Sequence, residues 1–128
     1  MKIIGVGVDI IECSRISAMI EKHGESFVNR VYTDHEITFC QSRLRSTQHF
    51  AGRWAAKEAV LKAMGTGWRK GLSWKDLEIR GDSDGRPTVA LQGAAKELAG
   101  QLSIHEVLIA VSHCREYATA HATAVQHD

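Results

Sequence analysis

Asp9, Glu58 and Lys62 are the residues of this sequence whose types and settings could do chemistry. Glu58 and Lys62 lie one helical turn apart in the run Phe50-Ala51-Gly52-Arg53-Trp54-Ala55-Ala56-Lys57-Glu58-Ala59-Val60-Leu61-Lys62-Ala63-Met64-Gly65. At about 100° per residue, Phe50, Trp54, Leu61 and Met64 form a bulky arc, and Ala51, Ala55, Ala59 and Ala63 form a small one. Little room remains for a water-facing side. Arg53 and Lys57 fall inside the bulky arc and Glu58 with Lys62 at the seam, so these charges are expected to face a site, a subunit contact or a ligand. As an ordinary exposed pair in this i,i+4 order, Glu58 and Lys62 would contribute only about 0.2–0.5 kcal/mol, and Lys57 could snorkel. Taken alone, the helix favours that plainer reading; a carboxylate flanked by lysines nevertheless suits a metal and phosphates.

Asp9 shifts the balance. Lys2-Ile3-Ile4-Gly5-Val6-Gly7-Val8-Asp9-Ile10-Ile11-Glu12 reads as a buried strand, β-branched and glycine-interrupted, with an acid among apolar neighbours. A buried carboxylate needs a cation, a metal or several donors. The alternative is a turn or cap acid, because Cys13-Ser14-Arg15-Ile16 begins a helix. Gly5 and Gly7 permit close backbone approach, but a dinucleotide fingerprint would need a third glycine where Ile10 stands, which excludes that fold.

These residues carry a wider pattern. Gly5-Val6-Gly7-Val8-Asp9-Ile10 is followed by Glu12 and Arg15; Phe50 by Arg53-Trp54-Ala55-Ala56-Lys57-Glu58-Ala59; Lys62-Ala63 by Gly65-Thr66-Gly67; and Ser112-His113 by Tyr117-Ala118. Together, and nearly end to end, they resemble the bacterial holo-acyl-carrier-protein synthases, the small type of 4′-phosphopantetheinyl transferase. The resemblance implies a small α+β domain, a homotrimer with active sites at subunit interfaces, and a role in fatty acid biosynthesis. It implies transfer of the 4′-phosphopantetheine arm of coenzyme A to a serine of apo acyl carrier protein, releasing adenosine 3′,5′-bisphosphate.

Such a reaction needs a divalent cation on the pyrophosphate, positive groups for the remaining phosphate charge, and an acceptor for the hydroxyl proton. Asp9 and Glu58 are the expected metal ligands; two hard carboxylates without a His/Cys set suit Mg²⁺ rather than zinc. Lys62 is the candidate for phosphate neutralisation, and Glu58 takes the proton directly or through a water. Arg53, Lys57, Lys62, Thr66 and His113 are assigned to coenzyme binding, His113 because the family's Ser-His pair lies near the coenzyme. Arg15 is assigned to the acidic carrier protein, since the resemblance puts carrier recognition on that helix; Arg43 and Arg45 could extend the patch by charge alone. Two other classes would use parts of this set: a metal-dependent phosphodiesterase with water as nucleophile, disfavoured because no further acid or histidine cluster supplies a second metal, and a non-catalytic binding domain.

To position these groups the sequence predicts a strand over about 2–11, a helix from Ser14 to His23 ended by Gly24, and an irregular link. A capping box at Thr33-Asp34-His35-Glu36 opens a helix running through Phe39 towards Leu44. The central helix is expected to start at a Ser46 or Thr47 cap and stop at Gly65-Thr66-Gly67. A hairpin pairs 77–80 with 87–91 across a polar turn, 81–86, expected to be plain surface. A helix over 94–102 and strands over 106–113 and 117–125 close the chain. Helix and strand without strict alternation indicate α+β, with the central buried helix against an antiparallel sheet.

The 128 residues suit a single domain spanning 1–128, and 44% hydrophobic residues supply a core, a thin one if several charges are internal. Sixteen basic against fifteen acidic residues give a formal charge of +1, which argues against a nucleic-acid binder and confines any anion site to a local cluster. Cys13, Cys40 and Cys114 have no metal or redox spacing and read as reduced packing thiols. With no signal-like N-terminus and no apolar run long enough for a bilayer, the expected location is the cytoplasm, with no membrane partner. His121 is expected to be structural, and His23, His35, His49, His105 and His127 to be scattered.

Overall fold

Three strands carry the architecture: β1 (Lys2–Glu12), β4 (Glu106–His113) and β5 (Tyr117–Gln126), antiparallel in the order β1-β5-β4. The computed structural model describes residues 1–67 and 71–128. Between β1 and β4 come α1 (Cys13–His23), α2 (Glu25–Val31), α3 (Asp34–Gln41), α4 (Ser46–Ala63), the hairpin β2 (Leu77–Gly81) and β3 (Pro87–Leu91), and α5 (Gly93–Gln101). The hairpin is a separate two-stranded sheet. This is the α+β arrangement expected from the sequence, with α4 lying across the three-stranded sheet.

Small residues set how close α4 comes. Ala118, Ala120, Ala122 and Ala124 on β5 are buried, as are Ala51, Ala55, Ala59 and Ala63 on α4. On β1 the approach is closer still: a Cβ on Gly7 would stand 2.1 Å from the Ala59 carbonyl oxygen, and one on Gly5 2.1 Å from that of Ala63. Only glycine fits there, so β1 and the C-terminal half of α4 are in backbone contact.

β1 is not buried on both sides. Its register aligns Val6 with Thr123, Val8 with His121 and Ile10 with Thr119, and these side chains point away from α4. Val6, Val8 and Ile10 are 60–65% exposed and Leu108 on β4 is 50% exposed, leaving an apolar outer face with His121 in its middle row. The expectation of a buried strand is corrected to a strand buried on one face.

The capping box forms as expected: Glu36 N–H donates to Thr33 Oγ1 at 3.3 Å, and Thr33 N–H to Glu36 Oε1 at 2.8 Å. Glu36 does more than cap, because it is fully buried and meets Lys57 Nζ at 2.7 Å while its other oxygen accepts from Ile79 N–H at 2.8 Å. Lys57 Nζ also donates to the carbonyls of Val31 (2.6 Å) and Trp74 (3.1 Å). One buried ion pair thereby ties α3, α4 and β2 together. Burial pushes the Lys57 amine below its ordinary range, and the adjacent Glu36 carboxylate opposes that push.

Local boundaries differ from the sequence expectations in three places. The link after Gly24 is the helix α2, held by buried Phe27 and Val31. α3 ends at Gln41, where the Ser42 hydroxyl donates to the Phe39 carbonyl, before Leu44 is reached. α4 begins at Ser46 with Arg45 at the N-cap and no side-chain cap, so packing rather than capping fixes its start.

Candidate active site

At the C-terminal end of α4, the close approach of β1 brings Asp9 to Lys62: Lys62 Nζ donates to Asp9 Oδ1 at 3.1 Å and to the Val8 carbonyl at 3.0 Å. Asp9 is 15% exposed and Lys62 51%, so the pair sits at the rim of the core. Thr119 Oγ1 on β5 donates to the Asp9 carbonyl at 2.9 Å and pins its backbone. Glu58, half-buried, lies one turn before Lys62 on α4. Beyond the helix, Thr66 donates to the Gly67 carbonyl at 2.8 Å, between Gly65 and Gly67 in left-handed conformation (φ 75° and 56°). Asp9 and Lys62 therefore meet, with Glu58 and Thr66 towards the same end of α4. The carboxylates offer hard oxygens of the kind Mg²⁺ takes. Among the described residues no group of three or more His, Cys, Asp or Glu is placed to hold a metal ion.

A second cluster surrounds the N-terminal half of α4. A cavity of about 480 Å³ is walled by Phe39 on α3, His49 and Arg53 on α4, His113 on β4, and Arg80 and Asp82 at the hairpin. Gly52 lets β4 approach: a Cβ there would come within 3.2 Å of Val111 Cγ1 and 3.7 Å of His113 Cδ2. The Phe39 ring lies between two guanidinium groups, Arg53 at 4.1 Å and Arg43 at 4.5 Å from its centroid. Arg53 Nε is buried without a hydrogen-bond partner, a donor that an anion in the cavity would satisfy. His113 Nδ1 lies 3.0 Å from Gln48 Oε1, and the His49 and His113 rings meet edge to face at 4.9 Å. Burial, then His113, Arg53 and Arg43, push the His49 imidazole below its ordinary range.

Arg53 and His113 thus share one cavity, as their common assignment expected. Lys57 does not join them: it is fully buried and its three N–H donors are spent on Glu36, Val31 and Trp74, so its assignment to the coenzyme is corrected to a core ion pair. Sequence reasoning missed His35, His49 and Arg43 in this cavity, and also the hairpin turn, whose Gly81, Asp82 and Gly85 line it rather than being plain surface. Arg15 is exposed on α1, six residues beyond Asp9, and Arg45 is exposed ahead of α4. Cys13 and Cys40 are buried, the latter pushed up to about 12 by burial, whereas Cys114 is exposed and is not a packing thiol. Among the described residues no helix is long and apolar enough to cross a membrane.

The model of the 4′-phosphopantetheinyl transferase superfamily matches residues 5–122. The holo-acyl-carrier-protein synthase of Protochlamydia amoebophila is 47% identical over 119 residues, which span 93% of this chain and 95% of that protein. The crystal structure of holo-acyl-carrier-protein synthase from Neisseria meningitidis matches with a TM-score of 0.90 at 30% identity, covering 98% of this chain and 100% of that one. The enzyme from Bacillus anthracis, crystallised in complex with CoA (3′,5′-ADP), matches at 0.81 and 35% identity, covering 98% of each chain. Likeness in sequence and in fold extends over almost the whole length and includes both ends of α4, and on that ground the chain belongs to the holo-acyl-carrier-protein synthases of the 4′-phosphopantetheinyl transferase superfamily.

Proposed function

We propose that this chain transfers the 4′-phosphopantetheine arm of coenzyme A to a serine of apo acyl carrier protein, releasing adenosine 3′,5′-bisphosphate, as a Mg²⁺-dependent cytoplasmic homotrimer serving fatty acid biosynthesis. The observation that carries the reading is the bridge between Lys62 and Asp9, 53 residues apart in sequence and 3.1 Å apart in space, with Glu58 one turn away. Asp9 and Glu58 would hold the metal. Bound there, Mg²⁺ would neutralise the pyrophosphate and polarise it towards attack.

The chain's own residues supply the rest. The carrier serine hydroxyl attacks the phosphorus bearing the pantetheine arm, the P–O bond to the adenosine bisphosphate breaks, and Glu58 receives the hydroxyl proton directly or through a water. Lys62, half-exposed, turns its ammonium from Asp9 to the phosphates. Arg53 and His113 hold the far end of the coenzyme in the cationic cavity, Thr66 contributes at the pyrophosphate end, and Arg15 meets the acidic carrier.

Gly52 and Lys62 are ten residues apart on α4, which separates the two clusters by about 15 Å along the helix. A trimer formed through the apolar outer face of the sheet would let one chain's Asp9 end complete its site with another chain's His113 end. The function test is incubation with Mg²⁺, coenzyme A and apo carrier, with the carrier weighed by mass spectrometry. Addition of the arm supports the reading, whereas coenzyme hydrolysis without transfer, or no reaction, refutes it. The shared-site test mixes inactive Asp9→Ala and Arg53→Ala chains after joint refolding: recovered activity requires sites built from two chains, and a fully active monomer refutes the trimer.

A further inference from the structure

Two of the three histidines that line the cationic cavity, His49 and His113, stand ring to ring where charge accumulates. His49 is wedged edge-on between Phe39 (5.5 Å, 78°) and His113 (4.9 Å, 71°). The charged and titratable groups around the pair come from every wall: His35 on α3 and Arg43 beyond it, Arg53 on α4, and Arg80 with Asp82 at the hairpin. Glu78 engages Arg80 Nε from behind. Three arginines against these acids give the cavity a cationic balance before either imidazole is charged. Gln48 Oε1 accepts from His113 Nδ1–H and holds that ring against His49.

We infer that binding of coenzyme A in this cavity is coupled to uptake of a proton by His49, which makes His49 a further coenzyme-binding residue. The inference rests on the coenzyme reading above. Without ligand, burial and the neighbouring cations disfavour a charged His49. A bound phosphate group, carrying about −1.5 to −2 at neutral pH, reverses the sign of the local field and favours the imidazolium. The bound-state pKa then exceeds the free-state pKa, so affinity falls as pH rises through the bound-state value. At the acid end, the phosphate's own second ionisation near pH 6 removes ligand charge, which sets the strongest binding just below neutrality.

The experiment is isothermal titration of the full chain with coenzyme A, in EDTA, using PIPES and Tris buffers of different protonation enthalpy. The expected result is a buffer-dependent heat corresponding to net proton uptake, and an affinity about threefold to tenfold weaker at pH 8 than at pH 6.5. His49→Phe, which keeps the ring contacts, should still bind coenzyme but with less uptake and a flatter pH dependence; His49→Gln replaces it if the phenylalanine variant fails to fold. Coenzyme binding with no buffer-dependent heat overturns the proton coupling alone. So does uptake unchanged in a folded His49 variant. A wild-type chain that binds no coenzyme in EDTA overturns this inference, and one that binds none with Mg²⁺ added refutes the functional reading as well.

Discussion

Gly7→Ala should cripple this protein by pushing apart the two backbones that frame its site. The added Cβ would stand 2.1 Å from the Ala59 carbonyl oxygen, 2.7 Å from the Ala63 nitrogen and 2.8 Å from Lys62 Cβ. Carbon and oxygen essentially never approach below 3.0 Å in this setting, so β1 and α4 must separate by nearly 1 Å. Two of the obstructing atoms are helix backbone, which cannot swing aside, so the cost belongs at the upper end of the roughly 1–3 kcal/mol typical of overpacking. For a chain of this length that corresponds to a fall in Tm of about 10 °C. The same displacement carries Asp9, two residues on, away from Lys62, and a misplacement of about 1 Å is enough to lower kcat about 100-fold. Thermal denaturation followed by circular dichroism reads the first effect, and carrier modification by mass spectrometry the second. Gly100→Ala is the control: it lies in α5 with nothing within 4 Å of its added Cβ, and should raise stability slightly. A Gly7→Ala protein melting within about 2 °C of wild type and turning over normally would refute the close-approach argument.

Lys57→Met strands the buried Glu36 carboxylate and should cost about 3–5 kcal/mol, whereas the double variant Glu36→Gln/Lys57→Met should recover much of it; a urea titration compares them, and equal midpoints would contradict the pairing. Asp9→Asn and Glu58→Gln should each abolish metal-dependent transfer. Because the Asp9–Lys62 pair is at the rim, with Lys62 51% exposed, Asp9→Asn should lose less than about 1 kcal/mol of stability, and turnover by the folded variant would remove Asp9 from the metal. Arg15→Glu should raise the KM for the carrier and leave that for coenzyme A nearly unchanged, with wild type losing carrier affinity more steeply as salt is raised; equal carrier KM values at low salt would redirect the search to Arg45, since Arg43 lines the cavity.

Much of the fold was readable because it rests on local signals. Strand alternation and the polar turn gave the hairpin, the Thr33–Glu36 box gave the start of α3, and the bulky and alanine arcs of the central helix left it little water-facing side. α2 was missed because seven residues are too short to show a period, and its Phe27 and Val31 anchors mean something only against a core already in place. The cavity was partly missed for a related reason. His35, His49, Arg80 and His113 come from four elements, and sequence spacing carries no information about which loop closes over which helix face.

The different fates of Arg53 and Lys57 show where a helical wheel stops being informative. One turn apart, they sit about 40° from each other and look equivalent. What separates them is α3, which runs along α4 in the opposite sense, setting Phe39 against Arg53 and Glu36 against Lys57. Lys57 meets a carboxylate already committed to the core, so its charge is matched and its donors consumed. Arg53 meets an aromatic face, which attracts its charge but accepts no N–H hydrogen bond at Nε, and that donor is left buried and unsatisfied beside the cavity. A buried N–H donor left without an acceptor is costly to the fold unless a bound group completes it. On the proposed reading, the same helix face uses one charge to hold the walls together and leaves the next donor for a ligand in the cavity.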